Sequence, residues 1–148
     1  MRKMVTVTIS LIAALLASVA QAQVTVQDAW MRATPPGAKI AAGYLTIHNA
    51  GAADRLVGAS SPTAERVETH VTMRQGDIMR MREVQGYDVP ANGTLELKPT
   101  GAHLMFVNIK GPLKEGTSVP ATLRFQHAGE IKVEFPVRPL AGGEHHAH

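Results

Sequence analysis

The chain has 148 residues, with 45% hydrophobic and 18% charged side chains, a net charge of +3 and no cysteine. That length suits one domain with a hydrophobic core of its own. Without cysteine there can be no disulfide framework, no thiolate for a blue-copper electron-transfer centre and no Cys-based structural zinc.

The first 22 residues read as a secretory leader. Arg2 and Lys3 form a basic start, 5–17 is mostly apolar, and Ala20-Gln21-Ala22 is a small-residue cleavage signal. Cleavage there makes Gln23 the mature N-terminus. The apolar run is short for a bilayer span, so no retained anchor is expected. A lipid on an N-terminal cysteine is excluded by composition. Loss of Arg2 and Lys3 leaves 13 basic against 12 acidic residues. The mature chain is thus nearly neutral, with no basic run or motif for nucleic acid.

Beyond the leader, residues 24–32 alternate as a strand, and Pro35-Pro36-Gly37 breaks it. Further strands are predicted over 42–49, 54–60 and 65–72. In the last of these Val67, Thr69 and Val71 share one face, and Glu68, His70 and Thr72 share the other. Gln75-Gly76-Asp77 turns the chain into 78–84, where Met79 and Met81 share a face. Short strands follow at 94–97 and 103–110. Two more, 119–126 and 130–137, form a hairpin across His127-Ala128-Gly129. Nine short strands with regular turn signals make an all-β sandwich or barrel. The domain spans 23–139. Residues 140–148 read as a flexible tail bearing His145, His146 and His148.

The chemistry concentrates between His70 and Met105. His103 and Met105 stand two apart on a strand, so an imidazole and a thioether point to the same side. Taken singly, Met79, Met81 and Met105 are ordinary core filler, and His70 is a polar-face residue. Taken together they form the spacing His70-x10-Met81-x21-His103-x-Met105. This pattern resembles that of the periplasmic copper chaperones called PCuAC. The flanking text is similar as well: Ala29-Trp30-Met31-Arg32-Ala33-Thr34-Pro35-Pro36-Gly37, Ala42-Gly43-Tyr44-Leu45-Thr46-Ile47, and Pro112-Leu113-Lys114-Glu115-Gly116. One departure is Val71 after His70, where family members often carry methionine.

The resemblance implies a cupredoxin-like Greek-key β-sandwich or barrel that binds one Cu(I) through His70, Met81, His103 and Met105. It also implies delivery toward the CuA subunit of cytochrome c oxidase, with a Sco-type protein as a further partner. The ligand chemistry agrees. Thioether and imidazole suit the soft Cu(I) ion, and four neutral ligands leave only the metal's own +1 charge. Lacking thiolate, such a site can pass copper on to a cysteine-bearing acceptor. Nothing in the sequence resembles a nucleophile with its base or a carboxylate pair, so an enzyme is not expected. A copper oxidase or monooxygenase would want more histidine and an open position. A copper store or a β-sandwich for protein interaction is the alternative from another class.

Several residues stay open at this level. Glu68 either orients the His70 imidazole or is a solvated acid. Met79 and Met73 are possible supporting residues, Met79 either lining the site or filling the barrel mouth. Met31 is read as packing, and Trp30, Tyr44 and Phe106 as core aromatics. His48 and His127 are surface histidines. The tail histidines His145, His146 and His148 are either a solvated end or a secondary site for Cu(II), which imidazole suits.

Overall fold

A computed structural model describes residues 23–140. The leader 1–22 and residues 141–148, with His145, His146 and His148, lie outside the described residues. Ten strands run in chain order: β1 (Val24–Arg32), β2 (Ile40–Asn49), β3 (Asp54–Ser60), β4 (Ala64–Gln75), β5 (Ile78–Glu83), β6 (Tyr87–Val89), β7 (Gly93–Leu97), β8 (Ala102–Ile109), β9 (Ser118–Phe125) and β10 (Gly129–Arg138). The fold is all-β, and no helix occurs among the described residues.

Seven strands close on themselves in the order β4-β8-β2-β1-β10-β9-β3, and the Ala59↔Val67 pair of β3 and β4 completes the ring. Closure removes sheet edges within the ring. Three strands attach outside it: β5 to β4, β6 to β3, and β7 to the later half of β2. The β1–β10 contact is parallel, whereas the other pairs are antiparallel. The result is a cupredoxin-like barrel.

Strand alternation sorts the side chains. Leu45 and Ile47, Leu104 and Phe106, Leu123 and Phe135 all point inward and are almost fully buried. Phe106 and Phe135 meet edge to face with centroids 5.7 Å apart. Gly43 lies beneath them. A Cβ added there would come within 2.9 Å of the Phe106 ring and 3.2 Å of the Phe135 ring, so this stretch of β2 has no room for a side chain on its inner face.

Turn chemistry matches the hairpins. Gln75 pairs with Ile78 across the two-residue turn Gly76-Asp77, and Gly76 takes φ +63° at the first position, where a II′ turn wants glycine. Phe125 pairs with Gly129 across three residues, with Gly129 at φ +77°. Asp54, at the start of β3, accepts from the N–H groups of His127 and Ala128 and ties this hairpin to the barrel.

One irregularity decides what lies on the outside. In β1 the register against β2 shifts between Gln27 and Trp30, with Asp28 at φ +54°. This is a one-residue β-bulge. Before it, Val24 and Val26 face the core; after it, Ala29 and Met31 do, with Met31 fully buried. Trp30 and Arg32 are thereby turned to the outer face. The expectation that Trp30 is a core aromatic is corrected here: it is only half-buried, on the outer face of the sheet. Tyr44 is buried as expected, although on that outer face and outside the inner cluster, and Phe106 lies in the inner core.

Candidate metal centre

The site is assembled on the outer face of β5, β4, β8 and β2. Glu68, His70 and Thr72 lie on the outer side of β4, because Val67, Thr69 and Val71 turn inward. On β8 the inward residues are Ala102, Leu104 and Phe106, so His103 and Met105 turn outward. The β4–β8 register places His70 directly opposite His103 and Glu68 opposite Met105. The two imidazole centroids are 5.8 Å apart. On β5, Met81 pairs with Thr72 and Glu83 with His70. Directly opposite residues of an antiparallel pair share a face. Met81 therefore flanks the histidine pair on one side and Met105 on the other.

The four motif residues thus share one face, but their settings differ. His103 and Met105 are buried at 3% and 7% exposure, whereas Met81 on the outermost strand is 55% exposed. Met79 lies on the same face one step beyond Met81, opposite Arg74, and is equally exposed. Met73 pairs with Arg80, and strand alternation turns it to the other face, away from the histidines.

Hydrogen bonding fixes which imidazole nitrogens are free. His103 Nδ1 lies 3.2 Å from the Gly101 carbonyl, which can only accept, so Nδ1 carries the proton. His103 Nε2 is left buried with no partner. His70 Nε2 lies 3.0 Å from a Glu68 carboxylate oxygen, and its Nδ1 is likewise buried without a partner. Buried polar atoms are nearly always paired. Two unpaired imidazole lone pairs on cross-strand neighbours, on a face that also carries Met81 and Met105, are donors of the kind a soft metal ion takes. The residues present fit Cu(I). Each imidazole is oriented through its other nitrogen, the usual arrangement behind a metal-ligating histidine.

Glu68 is therefore the carboxylate that holds His70. Its hydrogen bond to His70, followed by that to Arg66, keeps its pKa below the ordinary value. Glu68, His70 and Glu83 offer ligand atoms within 4.8 Å of one another, which puts negative charge beside the site. Burial, opposed by the Gly101 hydrogen bond and aided by nearby His70, holds the His103 pKa below 6.5. A neutral imidazole is the form that binds metal.

Sequence reasoning missed the group beneath the histidines. The Tyr87 hydroxyl lies 2.6 Å from the main-chain carbonyl of His70 and 2.7 Å from that of His103, and donates its proton between them. Tyr87 is buried, and burial raises its pKa to about 12 despite these two contacts, so the hydroxyl stays a donor. It is placed by the segment after β5. Gly86 N–H donates to Thr69 Oγ1, and Val84 N–H to the Thr69 carbonyl. Gly86 has φ +91°, and a Cβ there would come 2.3 Å from the Leu56 carbonyl, so only glycine fits. No local pattern announces such a contact. The only signal in the sequence is a glycine followed by a bulky aromatic.

A line of rings continues from the site. Tyr44 lies 6.5 Å from His103 and 4.7 Å from Trp30, centroid to centroid. The Arg138 and Arg32 guanidinium carbons lie 4.7 and 5.7 Å from the Trp30 ring centroid.

The comparisons with known proteins bear on this arrangement. The family model described as "Putative lipoprotein LpqE-like" matches residues 24–137. The lipoprotein Lxx21020 of Leifsonia xyli subsp. xyli, described in the same terms, is 33% identical over 121 residues, 80% of this chain and 72% of its own length. The solution structure of CuI-DR1885 from Deinococcus radiodurans is 36% identical, with a TM-score of 0.65, covering 82% of this chain and 83% of that one. The apo PCuAC domain from PmoF1 is 25% identical with a TM-score of 0.67, over 79% of this chain and 94% of that one. The copper-bound PCuAC domain from PmoF2, at 24% identity and a TM-score of 0.68, shares the fold over 79% of this chain and 93% of that one. The chain belongs to the LpqE-like family, and its barrel is a PCuAC-type domain.

Proposed function

We propose that this protein is a copper chaperone whose cargo is a single Cu(I), held by His70 Nδ1, His103 Nε2 and the thioethers of Met81 and Met105. The observation that carries this reading is the pair of buried, unpartnered imidazole nitrogens on directly opposed residues. The Cu(I)-bound state named for the Deinococcus relative supports it. Met105 and His103 are rigid, buried donors, while Met81 sits on an exposed outer strand. A ligand set with one solvent-facing arm suits release: an incoming thiolate can displace Met81 first, and the buried donors follow. Thiolate binds copper more strongly than thioether does, so transfer runs toward the acceptor.

The acceptor in this reading is the CuA subunit of cytochrome c oxidase, with a Sco-type protein as a second partner. The place of action is the periplasm. Export is supported by the leader-like start of the sequence and by the family's lipoprotein description. The protein acts by binding and transfer, not by turnover. The three tail histidines serve as a secondary Cu(II) site. The test is to mix the Cu(I)-loaded protein anaerobically with a copper-free, cysteine-bearing CuA domain. Near-stoichiometric movement of copper to the CuA domain is expected, and retention by the donor would sink the delivery role.

A further inference from the structure

We infer that the patch formed by Trp30, Arg32 and Arg138, next to the metal centre, is a docking surface for a partner protein that presents carboxylates. As a docking site for the copper acceptor it rests on the chaperone reading. The carboxylate recognition itself does not.

The patch is built by the bulge in β1. Trp30 and Arg32 share the outer face with Tyr44 and His103, and Arg138 is the parallel-strand partner of Arg32. Two cations thus stand side by side on neighbouring strands, an arrangement that costs energy when nothing compensates it. Among the described residues neither arginine has an acidic side chain within salt-bridge distance, as is also true of Arg74, Arg80, Arg82 and Arg124. What holds the pair is the indole, with guanidinium carbons 4.7 and 5.7 Å from its centroid. Stacking of this kind limits each planar fork to few orientations, so less freedom is lost when it grips a carboxylate. Local rules broken without a structural gain are expected where a protein meets something else.

Position narrows the partner. The ring line Trp30–Tyr44–His103 links the patch to the buried ligands across neighbouring strands. A partner seated on the arginines therefore brings its own surface over the metal face. The other flank carries Glu68 and Glu83 together with Arg66 and Arg74, so charges of both signs border the metal face. Such a mixed charge pattern orients a protein surface of complementary pattern and speeds its encounter. A lipid headgroup layer, uniformly anionic, would meet the carboxylates as well as the arginines, which favours a protein.

The test uses the copper-free full chain, because its outcome is then separate from copper binding. Trp30 is the single tryptophan of the sequence, so intrinsic fluorescence reports the patch directly. The chain is titrated at low ionic strength with a decaglutamate peptide, and in parallel with phosphatidylglycerol vesicles. A saturable response to the peptide is expected, weakened at least tenfold in Arg32→Gln/Arg138→Gln and only partly recovered in Arg32→Lys/Arg138→Lys, which restores the charge but not the planar fork. Both arginines are exposed, and circular dichroism confirms that the variants fold. No response to the peptide, or an equal response in the Gln variant, overturns the proposal. Tighter binding to vesicles than to peptide overturns the assignment to a protein partner. A chain that binds the peptide but no Cu(I) would instead remove the chaperone reading and leave the carboxylate site standing.

Discussion

Tyr87→Phe is the most informative perturbation of the platform beneath the metal centre. It keeps the buried ring and removes one hydroxyl, the one lying 2.6 and 2.7 Å from the main-chain carbonyls of His70 and His103. These carbonyls belong to directly opposed residues of the β4–β8 ladder, so the ladder's own N–H groups remain as donors. The loss is therefore that of one buried hydrogen bond shared between two acceptors, about 1–2 kcal/mol, and not the larger cost of two orphaned carbonyls. For a domain of this size that corresponds to a fall in Tm of roughly 4–8 °C. The hydroxyl also fixes the spacing of the two strands at the histidine pair. If about 1 kcal/mol of that restraint is felt at the site, Cu(I) affinity drops roughly fivefold. Thermal unfolding and anaerobic competition with a Cu(I) chelator read the two effects separately. An unchanged Tm would show that the hydroxyl contributes nothing. A lowered Tm with unchanged affinity would show that Tyr87 supports the barrel and not the ligands.

Gly43→Ala should destabilise the domain by about 1–3 kcal/mol through overpacking against Phe106 and Phe135, read by chemical denaturation. An unchanged midpoint would mean that the two rings yield freely. Acidification should weaken Cu(I) binding through the imidazoles. Burial holds the His103 pKa below 6.5, so in the copper-free protein the unfolded chain takes up the extra proton first. Stability should be level above about pH 6.5 and fall below it. Cu(I) affinity should begin to fall at a lower pH, where His103 of the folded chain takes up its proton, and an affinity that stays flat down to the carboxylate range would count against the histidine ligands. Deleting residues 142–148 should lower Cu(II) binding and leave anaerobic Cu(I) binding near its original value. Full Cu(II) retention would reduce the tail to a solvated end, and loss of Cu(I) would mean that the tail reaches the core site.

Much of the scaffold is legible in the residues themselves. The bounds of β1 and β3 coincide with the alternating runs 24–32 and 54–60. The i, i+2 placement of His103 and Met105 follows from pleat geometry alone. Other features depend on contacts far apart in sequence. That His70 faces His103 is a matter of register, which neither strand specifies by itself. Strand β6, three residues long, is too short for periodicity and exists because it pairs with Asp54, Arg55 and Leu56. Strand β4 runs on to Gln75, past the predicted end at residue 72, because the tight Gly76-Asp77 turn lets β5 pair along its whole length.

Trp30 shows how one residue can mislead. An aromatic in an alternating run reads as core, but a single bulged residue at Asp28 reverses which β1 side chains face inward. Glu68 shows the opposite case. The sequence leaves its two readings open, a solvated acid or a partner of His70, and a 3.0 Å contact with His70 Nε2 separates them. Tyr87 offers no more than a glycine before a bulky aromatic.

The central claim is that four side chains, two of them thioethers, hold one Cu(I). The measurement that tests it most directly is anaerobic Cu(I) titration of the wild type beside Met81→Leu/Met105→Leu, against a chelator of known affinity. Leucine keeps approximate volume, so the fold should change little. One Cu(I) per chain is expected for the wild type, with affinity falling by at least tenfold in the double variant. Equal affinity in the two proteins would contradict the thioether ligation on which the account depends.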